Sequence, residues 1–366
     1  MNYASLITGW GFGLALFYCC SAVKPAQADV ELFTHFDTHL VSEFEPLDTA
    51  IGDWGTAMED GERQWVLGRF EVGARYSGFE ISVQQRALAD LRINEDAVKF
   101  YSRVAAELPL TPGESVPVDI RINGFSAQGL RLGYRGEIAD VTIAAGVTWL
   151  KTSHLMTGGL TGQFAALSED QYSVDAAVDY LYYRDIVFKR ENINTARGEG
   201  AAFDLRLAWQ PTANWYLDVH AEDLFTEIRW KDAPFTIATA NTNRKSYGED
   251  GYAFFNPLFS GRQGYRDSFT QKIDPRYRLN SRYQWNSWSL HFEGQHQFGY
   301  EFAGIGAGFA TRGGSRYKLM VWPTEDTLGF EINSGKWHSG LRFDDVSWSE
   351  MKSLSLTISY NFDVTR

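Results

Sequence analysis

Between Phe203 and Gln210 apolar residues hold the odd positions and polar or small ones the even, as Phe203-Asp204-Leu205-Arg206-Leu207-Ala208-Trp209-Gln210. After Pro211-Thr212-Ala213-Asn214 the same alternation resumes from Trp215 to Glu222. Successive side chains of a strand point to opposite faces, so each stretch has one apolar and one polar face, and the intervening residues turn a hairpin. The pattern recurs along most of the chain. Phe70, Val72, Ala74 and Tyr76 alternate with Glu71, Gly73 and Arg75, and Ser77-Gly78 then turns into Phe79, Ile81 and Val83. Leu130, Leu132 and Tyr134 repeat it, as do Trp288, Leu290 and Phe292. The last strand sets Leu354, Leu356, Ile358, Tyr360 and Phe362 against Ser355, Thr357, Ser359 and Asn361. A period of two held this long predicts an all-β protein.

Strands of this kind suit a soluble sandwich, whose apolar faces share a dry core, or a transmembrane barrel, whose apolar faces meet lipid while the polar faces line the lumen. The aromatics favour the barrel. Tyr76, Trp149, Tyr182, Trp209, Trp215, Trp285, Trp288 and Phe362 stand at strand ends, where a barrel carries its interfacial girdles. The expected architecture is a transmembrane antiparallel up-and-down β-barrel of about 16 strands, within bounds of about 14 to 18.

Residues 232–274 are polar and rich in Gly, Asn and Arg, as extracellular loops are. With that segment outside, the short turns at 211–214, 286–287, 313–314 and 334–336 fall in the periplasm. Counting back in pairs makes 66–76 the first ascending strand. Residues 64–366 then form the barrel, and 29–63 become an N-terminal arm, a plug or an extra strand. One segment leaves the period of two. From Ala89 to Leu108, Leu91, Ala97, Val98, Phe100, Tyr101, Val104 and Ala105 recur at helical intervals until Pro109 and Pro112-Gly113 end them. A loop helix near 89–108 is expected, packed over the barrel mouth or acting as a constriction or docking element.

The N-terminus changes the picture further. Leu6 to Val23 is an apolar stretch, and Ala26-Gln27-Ala28 offers a small-x-small cleavage site before Asp29. Residues 1–28 read as a cleaved signal peptide for export. Both cysteines, Cys19 and Cys20, lie inside it, so the mature chain contains none. Together with the alternating hairpins and the aromatic-rich last strand, these features resemble the Gram-negative outer-membrane β-barrel class. That resemblance implies a bacterial outer-membrane location, lipid as the surrounding partner, and insertion machinery that reads Leu354–Phe362.

Composition is consistent with that class. Phe, Tyr and Trp number 25, 18 and 12, yet mean hydropathy is only -0.30, so the rings must be interleaved with polar residues. Beyond residue 28 no run of about 18 apolar residues offers a helical membrane span. With 34 Lys+Arg against 46 Asp+Glu, the net charge of -12 argues against a nucleic-acid partner.

Three groups of residues carry candidate chemistry. His35, Asp37 and His39 share one strand face at a spacing that suits a metal, but such trios are common on solvated faces, and no metal or other cofactor is expected. Asp218 and His220, with Glu222 beyond, could pair as carboxylate and base. No nucleophile motif accompanies them, so an ion-pair network is expected and not an enzyme. Arg276, Arg278 and Arg282 form a basic stripe on one polar face, joined by Arg206, Arg229, Arg316, Lys318 and Arg342. Facing carboxylates include Asp204, Asp218, Glu227, Glu293 and Glu331, and His291 lies on the same polar side. Paired, these charges fill the lumen; partly unpaired, they make an anion path.

The functional expectation is a porin-like channel for small polar solutes, anionic ones or saccharides among them. The alternative is a non-conducting barrel anchoring an envelope export or secretion complex, such as one for exopolysaccharide, with periplasmic export partners. An outer-membrane hydrolase ranks third.

Overall fold

The computed structural model describes residues 30–51, 58–185, 187–242, 245–247, 253–255 and 258–364. The expected signal peptide lies outside the described residues. Fourteen strands form the wall: β1 (Val30–Ser42), β2 (Arg63–Tyr76), β3 (Phe79–Ile93), β4 (Ser115–Ile138), β5 (Val141–Ala166), β7 (Arg197–Thr212), β8 (Trp215–Asn241), β12 (Arg276–Trp285), β13 (Trp288–Gln297), β14 (Tyr300–Ala310), β15 (Arg316–Trp322), β16 (Thr327–Ser334), β17 (Trp337–Phe343) and β18 (Ser353–Val364). Each pairs antiparallel with the next in that order. The ring closes where β18 meets β1, from Val30↔Val364 to Val41↔Ser353. Closure leaves no open edge in the wall, which is what a sheet in lipid requires.

The sheet holds 16 strands, but two of them, β6 (Tyr172–Tyr182) and β11 (Phe259–Lys272), stand outside the closed ring. They exist because β4, β5 and β8 run to 24, 26 and 27 residues, more than twice the roughly 9–11 that cross a bilayer. Above the membrane β5 exchanges β7 for β6, and β8 exchanges β7 for β6 on one edge and β12 for β11 on the other. The exchanges are marked by bulges. Ser153 is an extra residue opposite Ser126 and Ala127. In β8, Leu205↔Ala221 and Ala201↔Glu227 leave two residues more than β7 supplies, with Asp223 and Phe225 at positive φ. Bulges bend a strand and end its pairing, so the wall hands its long strands to a second, extracellular sheet at these points. A small hairpin, β9 (Lys245–Tyr247) and β10 (Ala253–Phe255), completes the described strands.

Several expectations are corrected here. The strand 30–42 opens and closes the ring, so β1 ascends and β2, which holds 66–76, descends. Segment 232–274 is largely strand, Asn241 ending β8 and Phe259–Lys272 forming β11. The helix is shorter than 89–108: it spans Glu95–Ala105, and Ala89–Ile93 belong to β3. Residues 89–92 pair on both sides, Ala89 with Val66 and Gly124 for example, and Ile93 pairs with Ile120 on one; two ladders outweigh a helical pattern. The helix buries Ala97, Val98 and Phe100 against Phe44, Leu91, Val118 and Leu110 at the extracellular end.

The outer surface shows the lipid contact. Ile81, Leu132, Leu290, Ile305, Leu319 and Phe330 are exposed on the outward face, and Tyr76, Trp209, Trp215, Trp285 and Trp288 ring the end that carries the short turns. Tyr182 does not belong to this girdle: it is buried in the extracellular sheet, with its hydroxyl 2.9 Å from Thr236 Oγ1. The two faces give a direct test. Leu205 points outward four residues from Trp209, so Leu205→Arg should cost about 2–4 kcal/mol of insertion free energy. Arg206→Leu, on the lumen side, should cost distinctly less. The fraction of heat-modifiable protein after refolding into vesicles measures both, and equal losses would reverse the face assignment.

Candidate functional site in the lumen

Inside the wall three layers follow one another from the short-turn end upward. The first is a vestibule of about 1120 Å³ open to the periplasmic end, lined by the polar faces of the wall strands. Arg276, Arg278, Arg282, Arg206, Asp204, Asp218, His220, His291 and Glu293 all line it. Arg229 does not. It is exposed on the outer face, because the two extra residues of β8 cancel in parity and leave it on the side of Leu217 and Val219.

Most of these charges are neutralised by carboxylates on other strands. Arg206 Nε donates to Asp218 at 2.8 Å, and the Tyr216 hydroxyl donates to the same carboxylate at 3.1 Å. Arg131 reaches Asp204 at 2.5 Å and also Glu80. Lys318 pairs with Glu331 at 2.6 Å and with Glu293. Arg278 lies 3.0 Å from both Glu222 and His220 Nδ1. Asp218 and His220 are therefore members of an ion-pair network.

The second layer is a bar across the lumen. Arg276 Nη1 donates to Asp37 Oδ2 at 3.0 Å, and β12 lies seven strands from β1 on a ring of fourteen. Eight strands already make an interior that side chains can fill, so a round wall of fourteen is too wide for one Asp and one Arg to meet. The section is flattened at this level. Glu222, 2.7 Å from Arg69 and 3.6 Å from Arg276, joins the bar to β2 and β8, and Arg86 pairs with Asp223 beside it. Thr357 Oγ1 donates to the second oxygen of Asp37 at 3.1 Å. His35 instead lies 2.7 Å from Ser359 Oγ, and His39 is 3.0 Å from Glu325 and 2.9 Å from Arg342. The trio His35, Asp37 and His39 thus shares a face but goes to three different partners.

The third layer is apolar. Trp65, Leu88, Phe125, Ile228, Trp230, Phe298, Phe302 and Trp322 form one buried cluster that fills the extracellular half of the lumen. The Phe298-Gly299 turn between β13 and β14 folds into it, held by Arg63 and Arg92, both of which donate to the Phe298 carbonyl. Trp65 sits 5.5 Å from Tyr300 and 5.6 Å from Phe302, ring to ring. Above the cluster a groove of about 700 Å³ opens between the extracellular extensions, with Ile120, Ile122, Val178, Ile237 and Phe269 as its apolar wall.

The residues that sequence reasoning missed are Arg69, Arg86, Arg131 and Glu325. The first three lie on polar strand faces, so alternation marked where they point. It held nothing about which residue lay opposite.

A closed antiparallel wall with an apolar outward band, an aromatic girdle and a charged interior defines an outer-membrane β-barrel. No family model and no curated protein sequence matches the chain. Among solved structures it is similar to the Pseudomonas putida toluene transporter TodX, at 12% identity and TM-score 0.42, covering 92% of this chain and 91% of that one. It is similar also to the monoaromatic hydrocarbon channel CymD, at 10% identity and TM-score 0.44, covering 92% and 89%. A third is a Pseudomonas aeruginosa FadL homologue, at 10% identity and TM-score 0.36, covering 93% and 91%.

Proposed function

We propose that this barrel is a gated outer-membrane channel for small apolar or amphipathic solutes, closed in the conformation described. The observation that carries the reading is the apolar upper lumen. A water-filled porin keeps the inward face of its strands polar, whereas here Trp65, Phe125, Trp230, Phe298, Phe302 and Trp322 point inward and pack together. An apolar solute can exchange contacts with such a cluster; a saccharide or small anion would leave its hydrogen-bonding groups unmatched there. The expectation of a charged, water-filled path for polar or anionic solutes is therefore replaced. The paired state of Arg206, Arg276 and Arg278 supports that change.

The bar between Asp37 and Arg276 favours a second reading, a permanently closed barrel that anchors an envelope complex with periplasmic partners. One experiment separates the readings. Purified protein is placed in planar bilayers to read ion current, and in liposomes to read entry of the apolar fluorophore N-phenylnaphthylamine. Entry of the fluorophore beyond protein-free liposomes, with little steady ion current, is the expected result. A large steady current with saccharide permeation would sink the proposal in favour of a porin. Neither current nor entry would leave the anchor.

A further inference from the structure

The vestibule contains a place built for an anion. Of its basic side chains, Arg69, Arg75, Arg131, Arg206, Arg276, Arg278, Lys318 and Arg342 each have a carboxylate within ion-pair distance. Among the described residues Arg135, Arg282 and Arg316 have none. Arg135 is exposed at the end of β4 near the short turns. Arg282 on β12 and Arg316 on β15 line the same cavity, with only β13 and β14 between their strands. Two guanidiniums without a counter-charge are an arrangement that folding alone does not favour, and a bound anion would relieve it.

The surroundings keep the pair available. The carboxylates of the flanking strands, Glu293 on β13 and Glu331 on β16, are both held by Lys318. Arg282 lies over the Tyr216 ring at 5.2 Å, a stacking contact that orients the guanidinium without using its N–H donors. Between the two arginines the inward positions of β14 are Gly306 and Gly308, and a Cβ at Gly308 would lie 2.6 Å from Ser289 Oγ and 2.9 Å from His291 Nε2. The glycine thus leaves the Ser289 hydroxyl and the His291 imidazole, 2.9 Å apart and sharing one hydrogen bond, on the lining of the cavity.

We infer that Arg282 and Arg316, with Ser289 and His291 between them, form a binding site for a carboxylate or phosphate group in the periplasmic vestibule. The planar forks of arginine suit either oxyanion, and both groups accept from hydroxyl and imidazole N–H donors. The site stands on the vestibule alone and does not require that the barrel conduct.

The test uses the full barrel in detergent, with benzoate and inorganic phosphate as two separate calorimetric probes. Saturable binding that weakens with added salt is expected, and the probe bound more tightly identifies which oxyanion chemistry the site prefers. Arg282→Ser and Arg316→Ser should each weaken binding about tenfold or more, the loss of one charge-assisted pair. Arg135→Ser, at an equally unpaired arginine, should leave it unchanged. Heat-modifiable migration of every variant guards against misfolding, and Arg282→Lys serves as a second variant that keeps the charge but loses the fork. Overturning results are no saturable binding by the parent protein, or an equal loss in Arg135→Ser, which would mean a diffuse field and no site.

Discussion

Glu222→Ala should be among the most damaging single substitutions in the barrel. Glu222 is buried and lies within ion-pair distance of Arg69, Arg276 and Arg278 on two other strands. Removing it leaves Asp37 to offset Arg276 and takes away the carboxylate within ion-pair distance of Arg69 and of Arg278. Leaving one partner of a buried pair uncompensated costs about 3–5 kcal/mol, and here several cations repel at once. The temperature at which the folded band disappears on gels should fall clearly. Glu222→Gln should fall nearly as far, because the amide keeps the volume but not the charge. A variant as heat-resistant as the parent would mean that water screens the bar far more than its burial implies. The same loss of the bar should also raise ion current in any protein that still folds.

Trp65→Ala should be comparably costly for a different reason. Trp65 packs against Phe298, Tyr300 and Phe302 and edge-on against His39, where the apolar layer meets the ionic one. Truncating a buried tryptophan costs about 3–5 kcal/mol through lost contacts and the cavity left behind. Its Nε1 has no hydrogen-bond partner among the described residues, so Trp65→Phe should retain most of the stability. The pair of variants also bears on passage. If the apolar layer is the gate, Trp65→Ala should speed entry of N-phenylnaphthylamine into liposomes while Trp65→Phe leaves the rate near that of the parent. Unchanged entry in a folded Trp65→Ala protein would remove this layer from the path.

The sequence by itself determined the strands that lie in lipid. Where one face meets hydrocarbon and the other a wet lumen, the side-chain alternation is forced, and so the β7–β8 hairpin and the final strand Leu354–Phe362 are legible residue by residue. The same logic explains what it could not reveal. The strand β11 and the outer part of β8 stand above the bilayer, neither face is bound to be apolar, and the alternation that would announce them is absent. The two extra residues in β8 are equally silent, since Asp223 and Phe225 carry no glycine to mark their positive φ.

Only the tertiary structure decided the state of the lumen. Asp37 and Arg276 are 239 positions apart in sequence, and their meeting depends on a ring of fourteen strands closing and flattening. Periodicity tells a side chain which way to face. What it faces is set by the curvature of the whole wall, which no local stretch of residues contains. For the same reason the free pair, Arg282 and Arg316, could not be told from the paired arginines beside it until the closed barrel had assigned Glu293 and Glu331 to Lys318.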